Sequence, residues 1–253
     1  MELSFEQINV TLGKKPILKD VDVCVADGKI TGIIGPNGSG KSTLIKTLFG
    51  IVKYRSGRIL IDGTPAGSYP RAFIAQNIGY ICQETSCPFD FTAREMVAMG
   101  LYPHAKKYRG ATREAIVMDA MEQTGIAHLA DRSFLSLSGG EKKSVILTRA
   151  IAQHAETLVL DEPTNHLDIR HQLFILEFLR QKRFTSLIAL HDLNFACMYC
   201  DALFLLNQGT VVAHGTPLEV LTAENVKQVF GVNGCAQLLP QGECRFFLEN
   251  ANL

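Results

Sequence analysis

The chain has 253 residues, 25 of them Lys or Arg and 25 Asp or Glu, so it carries no formal net charge. A protein that holds nucleic acid by neutralising phosphates shows a basic surplus or stripe, and none is visible in these totals. At 47% hydrophobic and 20% charged, the composition excludes a disordered chain, and the length suits one large domain or two modest ones.

The longest apolar stretches, such as residues 157–160 and 203–206, are strand-sized. They fall short of the roughly 18 consecutive apolar residues of a membrane helix. The start, Met1-Glu2-Leu3-Ser4-Phe5-Glu6, lacks the basic segment and apolar core of a secretion signal, so the expected compartment is the cytoplasm. Seven scattered cysteines, an odd number, then read as reduced thiols and not as a disulfide framework.

In chain order, residues 3–10 and 17–25 predict strands, the second alternating at Val21, Val23 and Val25 before a turn at Gly28. Residues 30–34 form a short apolar strand that enters a glycine-rich loop, after which Leu44, Ile45 and Leu48 recur at helical spacing. Further strands are expected at 59–61, 78–81, 158–160, 187–190 and 203–206, with helical patterns such as 169–182 between them. That alternation predicts an α/β fold with a mainly parallel sheet, preceded by an antiparallel β portion. From about residue 92 to 153 the pattern is helical throughout (94–99, 113–124, 141–153), punctuated by Gly110, Gly125 and Gly139-Gly140. The expected organisation is a single domain with a core of 1–91 and 154–232, an inserted helical subdomain at 92–153, and a tail at 233–253. After Ala213 the reading gives a helix over 223–230 and a hairpin through Pro240-Gln241-Gly242.

Gly35-Pro36-Asn37-Gly38-Ser39-Gly40-Lys41-Ser42 fits the phosphate-loop pattern, with the required strand before it and helix after it. Its glycines let backbone N–H groups close around phosphates, and the helix N-terminus adds a favourable dipole. Lys41 supplies charge to the β and γ phosphates, Ser42 offers its hydroxyl to Mg²⁺, and Thr43 lies next to it near the phosphates. A glycine-rich turn without a ligand is disfavoured, because eight positions and both flanks agree. Leu158-Val159-Leu160-Asp161-Glu162 is an apolar strand ending in two acids. Alone it would read as a solvated strand end; after a phosphate loop, Asp161 is placed for the Mg²⁺ shell and Glu162 for polarising the attacking water.

Leu137-Ser138-Gly139-Gly140-Glu141 resembles the signature of ATP-binding-cassette ATPases, whose usual fifth residue is Gln. Ser138 and Glu141 also fit a capping box at a helix start, and the two readings are compatible, since a helix N-terminus is itself an anion site. The other elements of that family follow in order. Gln83 resembles the Q-loop glutamine that reaches Mg²⁺ and the attacking water, Asn165-His166-Leu167-Asp168 the D-loop, and His191 the switch histidine on the γ-phosphate. The resemblance spans about residues 3–232 and departs at Leu12, where the family stacks adenine on an aromatic residue. Weaker nucleotide discrimination is therefore expected unless Phe5 or another aromatic substitutes.

In this family the signature faces away from its own nucleotide, which implies a head-to-tail dimer in which Ser138, Gly139, Gly140 and Asp168 complete the partner's site. ATP would close that dimer and hydrolysis release it. Residues 89–104, with two phenylalanines and two methionines, resemble the stretch that receives a permease helix in importers of iron-siderophore, haem and cobalamin complexes. For each of those residues a role in the subdomain's own core is an equal reading. His191-Asp192-Leu193-Asn194 and the segment from Gly215 to Thr222 also resemble that subgroup. The implied protein is an ATP hydrolase, peripheral on the cytoplasmic face of the inner membrane, working with two permease subunits and, indirectly, a substrate-binding protein. Alternatives are a cassette for another solute or for export, and a soluble cassette acting on DNA or ribosomes. Cys197 and Cys200 form a lone CxxC, which with no second pair reads as neither redox nor metal site.

Overall fold

The computed structural model describes residues 1–82, 88–165 and 167–249. Strand β1 (Leu3–Leu12) buries Leu3, Phe5, Ile8 and Val10, and the slip in alternation between Phe5 and Ile8 is a bulge at Gln7, whose φ is 50°. β2 (Lys15–Val25) answers with buried Leu18, Val21, Val23 and Val25. Next come β3 (Ile30–Ile34), α1 (Lys41–Leu48), β4 (Ser56–Ile61), β5 (Thr64–Pro65), α2 (Arg71–Asn77) and β6 (Ile78–Ile81). The helical stretch holds α3 (Ala93–Ala98), α4 (Gly110–Gln123) and α5 (Gly139–Ala152), with a 3-10 segment at Met99–His104. The chain continues through β7 (Thr157–Asp161), α6 (Ile169–Lys182), β8 (Thr185–Leu190), α7 (Leu193–Tyr199), β9 (Ala202–Asn207) and β10 (Thr210–Gly215). It finishes with α8 (Pro217–Val220), α9 (Ala223–Phe230), β11 (Gly234–Leu238) and β12 (Cys244–Leu248).

Two compact units form, Met1–Tyr69 with Leu179–Leu253, and Pro70–Phe178. In the first, β1 pairs antiparallel with β2 and β4, joining Leu3 to Val25 and to Ile61. β3 runs parallel to β8 and β9, with Ile34 opposite Leu190 and Leu205, and β10 closes the edge antiparallel to β9. Every residue of β3 and β8 is buried, the mark of parallel strands covered on both faces. The β11–β12 hairpin turns at Gly242 and fastens to α7, where Phe246 N donates to Asn194 Oδ1 at 3.2 Å. In the second unit β6 and β7 pair in parallel, Ile81 opposite Leu160, with α5 against β6 and α3 and α4 packed on α5.

The structure has elements that the sequence reading omits. α2 buries no residue, so no apolar period announces it. β10 lies between the strand expected at 203–206 and the helix expected at 223–230; its two-residue turn, Gln208-Gly209, with positive φ at both positions, folds it back on β9. α8 is set by Pro217 at its first turn and a Thr216–Glu219 capping box. Among the described residues, no helix is long and apolar enough to cross a membrane.

Candidate active site

The phosphate loop leaves β3 at Gly35, whose φ of 150° is suited to glycine. A Cβ there would lie 2.0 Å from the Leu206 carbonyl oxygen, and one on Gly40 (φ 112°) 2.5 Å from Leu18 Cδ2. The loop is therefore drawn tightly over β9 and β2. Lys41 is buried and turns back, its Nζ donating to the carbonyls of Gly35 at 2.8 Å and Pro36 at 3.2 Å. Ser39 Oγ is buried with no hydrogen-bond partner among the described residues. Helix α1 has Gly40 at its N-cap, no side-chain cap and no acid in its first turn, while Ser42 and Thr43 are half-buried on that turn. A buried ammonium folded over the loop's own carbonyls, an orphaned hydroxyl and a helix start without a side-chain cap fit a bound phosphate chain.

His191 leaves β8 directly after Leu190, and the β3–β8 register sets Leu190 opposite Ile34. The structure thus carries His191 and Gly35 out of neighbouring strands at the same level. Asp192, next in line, caps α7 by accepting from Asn194 N at 2.8 Å and Phe195 N at 3.0 Å, which fixes the chain just past the histidine.

In the second unit, Asp161 ends β7 fully buried, and Glu162 is buried with a φ of 54°. A non-glycine residue in the left-handed region is uncommon and is held there by its surroundings. Asn165 Nδ2 donates to Glu162 Oε2 at 2.6 Å, which orients the carboxylate. Lys143 of α5, which the sequence reading passes over, is also buried; burial depresses its ammonium, while the nearby carboxylates of Asp161 and Glu162 oppose that drop. Half-buried Tyr80 is pushed up to about 12, first by burial and then by Asp161. No sequence period distinguishes Lys143 from a surface lysine of an amphipathic helix. Gln83 lies outside the described residues.

Ser138 caps α5 as its sequence predicts: its Oγ accepts from Glu141 N at 3.3 Å, and its own N donates to Glu141 Oε2 at 2.7 Å. The other carboxylate oxygen of Glu141 meets Arg132 at 3.2 Å. Asp168 accepts from His171 N at 3.0 Å and lies 2.8 Å from His171 Nδ1, contacts that hold its carboxyl below the usual range. Leu12 is 49% exposed at the end of β1, whereas Phe5 is wholly buried in the core. Phe5, buried in the core, is therefore not placed to substitute as a base-stacking aromatic. In the CxxC pair both thiols are buried and raised well above their ordinary range, Cys197 by burial and by Cys244, Cys200 by burial and by Asp201. Among the described residues, no cluster of three His, Cys, Asp or Glu side chains could hold a metal.

A model of the ABC transporter family matches residues 18–165. The chain is 40% identical to the ferric enterobactin transport ATP-binding protein FepC of Escherichia coli K12, over 90% of this chain and 86% of that protein. It is 39% identical to the hemin import ATP-binding protein HmuV of Bordetella avium, over 95% of each. Among solved structures, a chain of a transporter described as of the metal-chelate type, in an inward-facing conformation, superposes with a TM-score of 0.83 at 27% identity, covering 98% of this chain and 97% of that one. With a family model over more than half its length and close relatives over nearly all of it, the chain belongs to the ABC transporter family.

Proposed function

We propose that this chain is the ATP-hydrolysing subunit of an importer for a metal chelate, of the iron-siderophore, haem or cobalamin kind. The observation that carries the ATPase reading is the buried Lys41 ammonium folded into a loop with an uncapped helix behind it. The substrate class rests on relatives named for ferric enterobactin and hemin transport.

In this reading Gly35, Pro36, Asn37, Gly38, Ser39, Gly40 and Thr43 wrap the phosphates, and Lys41 offsets their charge. Ser42, Asp161 and Gln83 would hold Mg²⁺, which would supply positive charge against the phosphates. Glu162, aimed by Asn165, takes a proton from the attacking water as its oxygen bonds to the γ-phosphorus and the bridging P–O bond to ADP breaks. His191 and Gln83 orient that terminal group. Ser138, Gly139, Gly140 and Asp168 of a second copy, docked head to tail, complete each site. The assembly sits at the cytoplasmic face of the membrane on two permease subunits, supplied by an external binding protein.

Glu162→Gln tests the chemistry. It is expected to keep ATP affinity within about twofold, to lower turnover by about 10²-fold or more, and to accumulate an ATP-bound dimer on sizing columns. Turnover near wild type would remove Glu162 from its role. Import is tested by ATP-driven uptake of ferric siderophore, haem or cobalamin into vesicles holding the chain and its permease. ATPase activity stimulated by ribosomes or DNA, with no permease association, would overturn the transport reading.

A further inference from the structure

His171, on the first turn of α6, touches two of the residues just described. Its backbone N and ring Nδ1 both engage Asp168 Oδ1, at 3.0 and 2.8 Å, so the carboxylate fixes the tautomer that carries a proton on Nδ1 and locks the plane of the ring. The ring is also set over the signature: a Cβ built on Gly140 would come 2.8 Å from His171 Cε1, 2.8 Å from Nδ1 and 2.9 Å from Cγ. Three ring atoms at nearly one distance mean that the imidazole lies face-on to the glycine, closer than any side chain would allow. Gly140 is thus a glycine partly because His171 occupies the place of its side chain. The side chain of His171 is 30% exposed, so this is a seated residue at the surface and not a part of the core.

We propose that His171 is a positioning residue for ATP turnover, tying Asp168 to the first turn of α5 so that both are presented to a partner copy's nucleotide in one fixed arrangement. The inference rests on the reading of Ser138 and Gly140 as a phosphate-contacting turn. Removing the imidazole takes the ring contact from the Asp168 carboxylate, leaves it backbone N–H contact alone, and opens space above Gly140. Because the surface so loosened serves the other copy's nucleotide, the defect falls on turnover and on ATP-driven dimerisation, and spares binding to the chain's own phosphate loop.

The test uses the full chain with substitutions at positions 171, 140 and 138. His171→Ala is expected to lower kcat about tenfold or more, the usual loss when a group that orients a functional residue is removed. It should leave ATP affinity, measured below the dimerisation concentration, within about twofold of wild type. In His171→Asn the amide nitrogen replaces Nδ1 as a donor to Asp168, and kcat should recover most of the loss. Gly140→Ala should be harmful alone but add little to His171→Ala, because the methyl group then enters vacated space. Wild-type kcat in His171→Ala, while Ser138→Ala is impaired, overturns the inference and leaves the signature reading intact. So does a loss in His171→Ala that tracks a lowered melting temperature and that Asn fails to rescue. Wild-type turnover in Ser138→Ala overturns the signature reading, and the inference with it.

Discussion

The starts of α1 and α5 are both made of serine and glycine, and they are closed in opposite ways. α1 begins at Gly40 with no side-chain cap and no acid in its first turn, and the loop before it is shaped by backbone against backbone, Gly35 on the Leu206 carbonyl. α5 begins at Ser138 with a complete capping box, its Glu141 held in turn by Arg132, and a histidine ring lying over Gly140. The first-turn N–H groups of a helix are orphan donors that something must satisfy. In α1 no side chain does so, and in the proposed function an incoming anion would act as the cap. In α5 the protein supplies part of it, so a phosphate arriving there, as proposed, would meet a surface already set by side chains. One site is therefore specified by where side chains are forbidden, and the other by which side chains hold each other.

The largest effect should come from breaking the backbone-built end. Gly35→Ala forces a Cβ against a carbonyl oxygen in a conformation that suits glycine, at an expected cost of about 3 kcal/mol or more from strain and overpacking together. Urea unfolding would read it as a fall in midpoint, with ATP binding lost as well. A variant destabilised by less than about 1 kcal/mol would show that the loop relaxes freely, and the contrast with α5 would collapse.

A smaller effect sharpens the same end of the molecule. With Leu12 exposed and Phe5 buried, neither candidate position offers a ring to the base, and the wild type is expected to discriminate weakly between ATP and GTP. Leu12→Tyr should tighten both nucleotides by about fivefold, since base stacking on an aromatic is worth ~1 kcal/mol or more and is tolerant of base identity. Fluorescence titration gives the answer; unchanged affinity, or a strong wild-type preference for ATP, would place the base elsewhere.

The backbone-built site is largely legible in the amino-acid sequence. A strand, a loop and a helix are contiguous across eight motif residues, and glycine at fixed offsets has few alternative meanings. The capping box at Ser138 and Glu141 is legible for the same reason, being local. What the sequence withholds is whatever depends on partners distant in the chain. Arg132 beside Glu141, Lys143 beside Asp161 and Glu162, and His171 over Gly140 are ordinary charged or polar helix residues until folding sets their neighbours. Among the elements, β10 and α8 escape a reading by periodicity because turn chemistry, not apolar period, creates them. Whether Phe5 could reach a base is hidden for a like reason, since an aromatic in an alternating strand says nothing of which face is covered.

The smallest effect isolates the self-capped end. Glu141 stands where the family usually has Gln, and its charge is useful to α5 but adverse to a phosphate arriving at the same turn. Hydrogen bonds from the Ser138 backbone and then its side chain lower its carboxyl below the ordinary glutamate value of about 4.3. A folded-state value that is depressed gives stability that is present above the unfolded value and lost as pH falls through the folded one. Wild type should therefore exceed Glu141→Gln in urea midpoint at neutral pH, and the gap should close as the solution is acidified below about pH 4. ATP-driven dimerisation should move the other way. Removing the negative charge is expected to tighten the dimer by about twofold to fivefold at low salt, an advantage that salt screens. Arg132 opposes that gain by neutralising Glu141, so Arg132→Ala should weaken the dimer in the wild-type background and have little effect when combined with Glu141→Gln. A stability gap that stays constant with pH would mean that the charge of Glu141 does not serve the cap, and that α5 is closed by Ser138 alone.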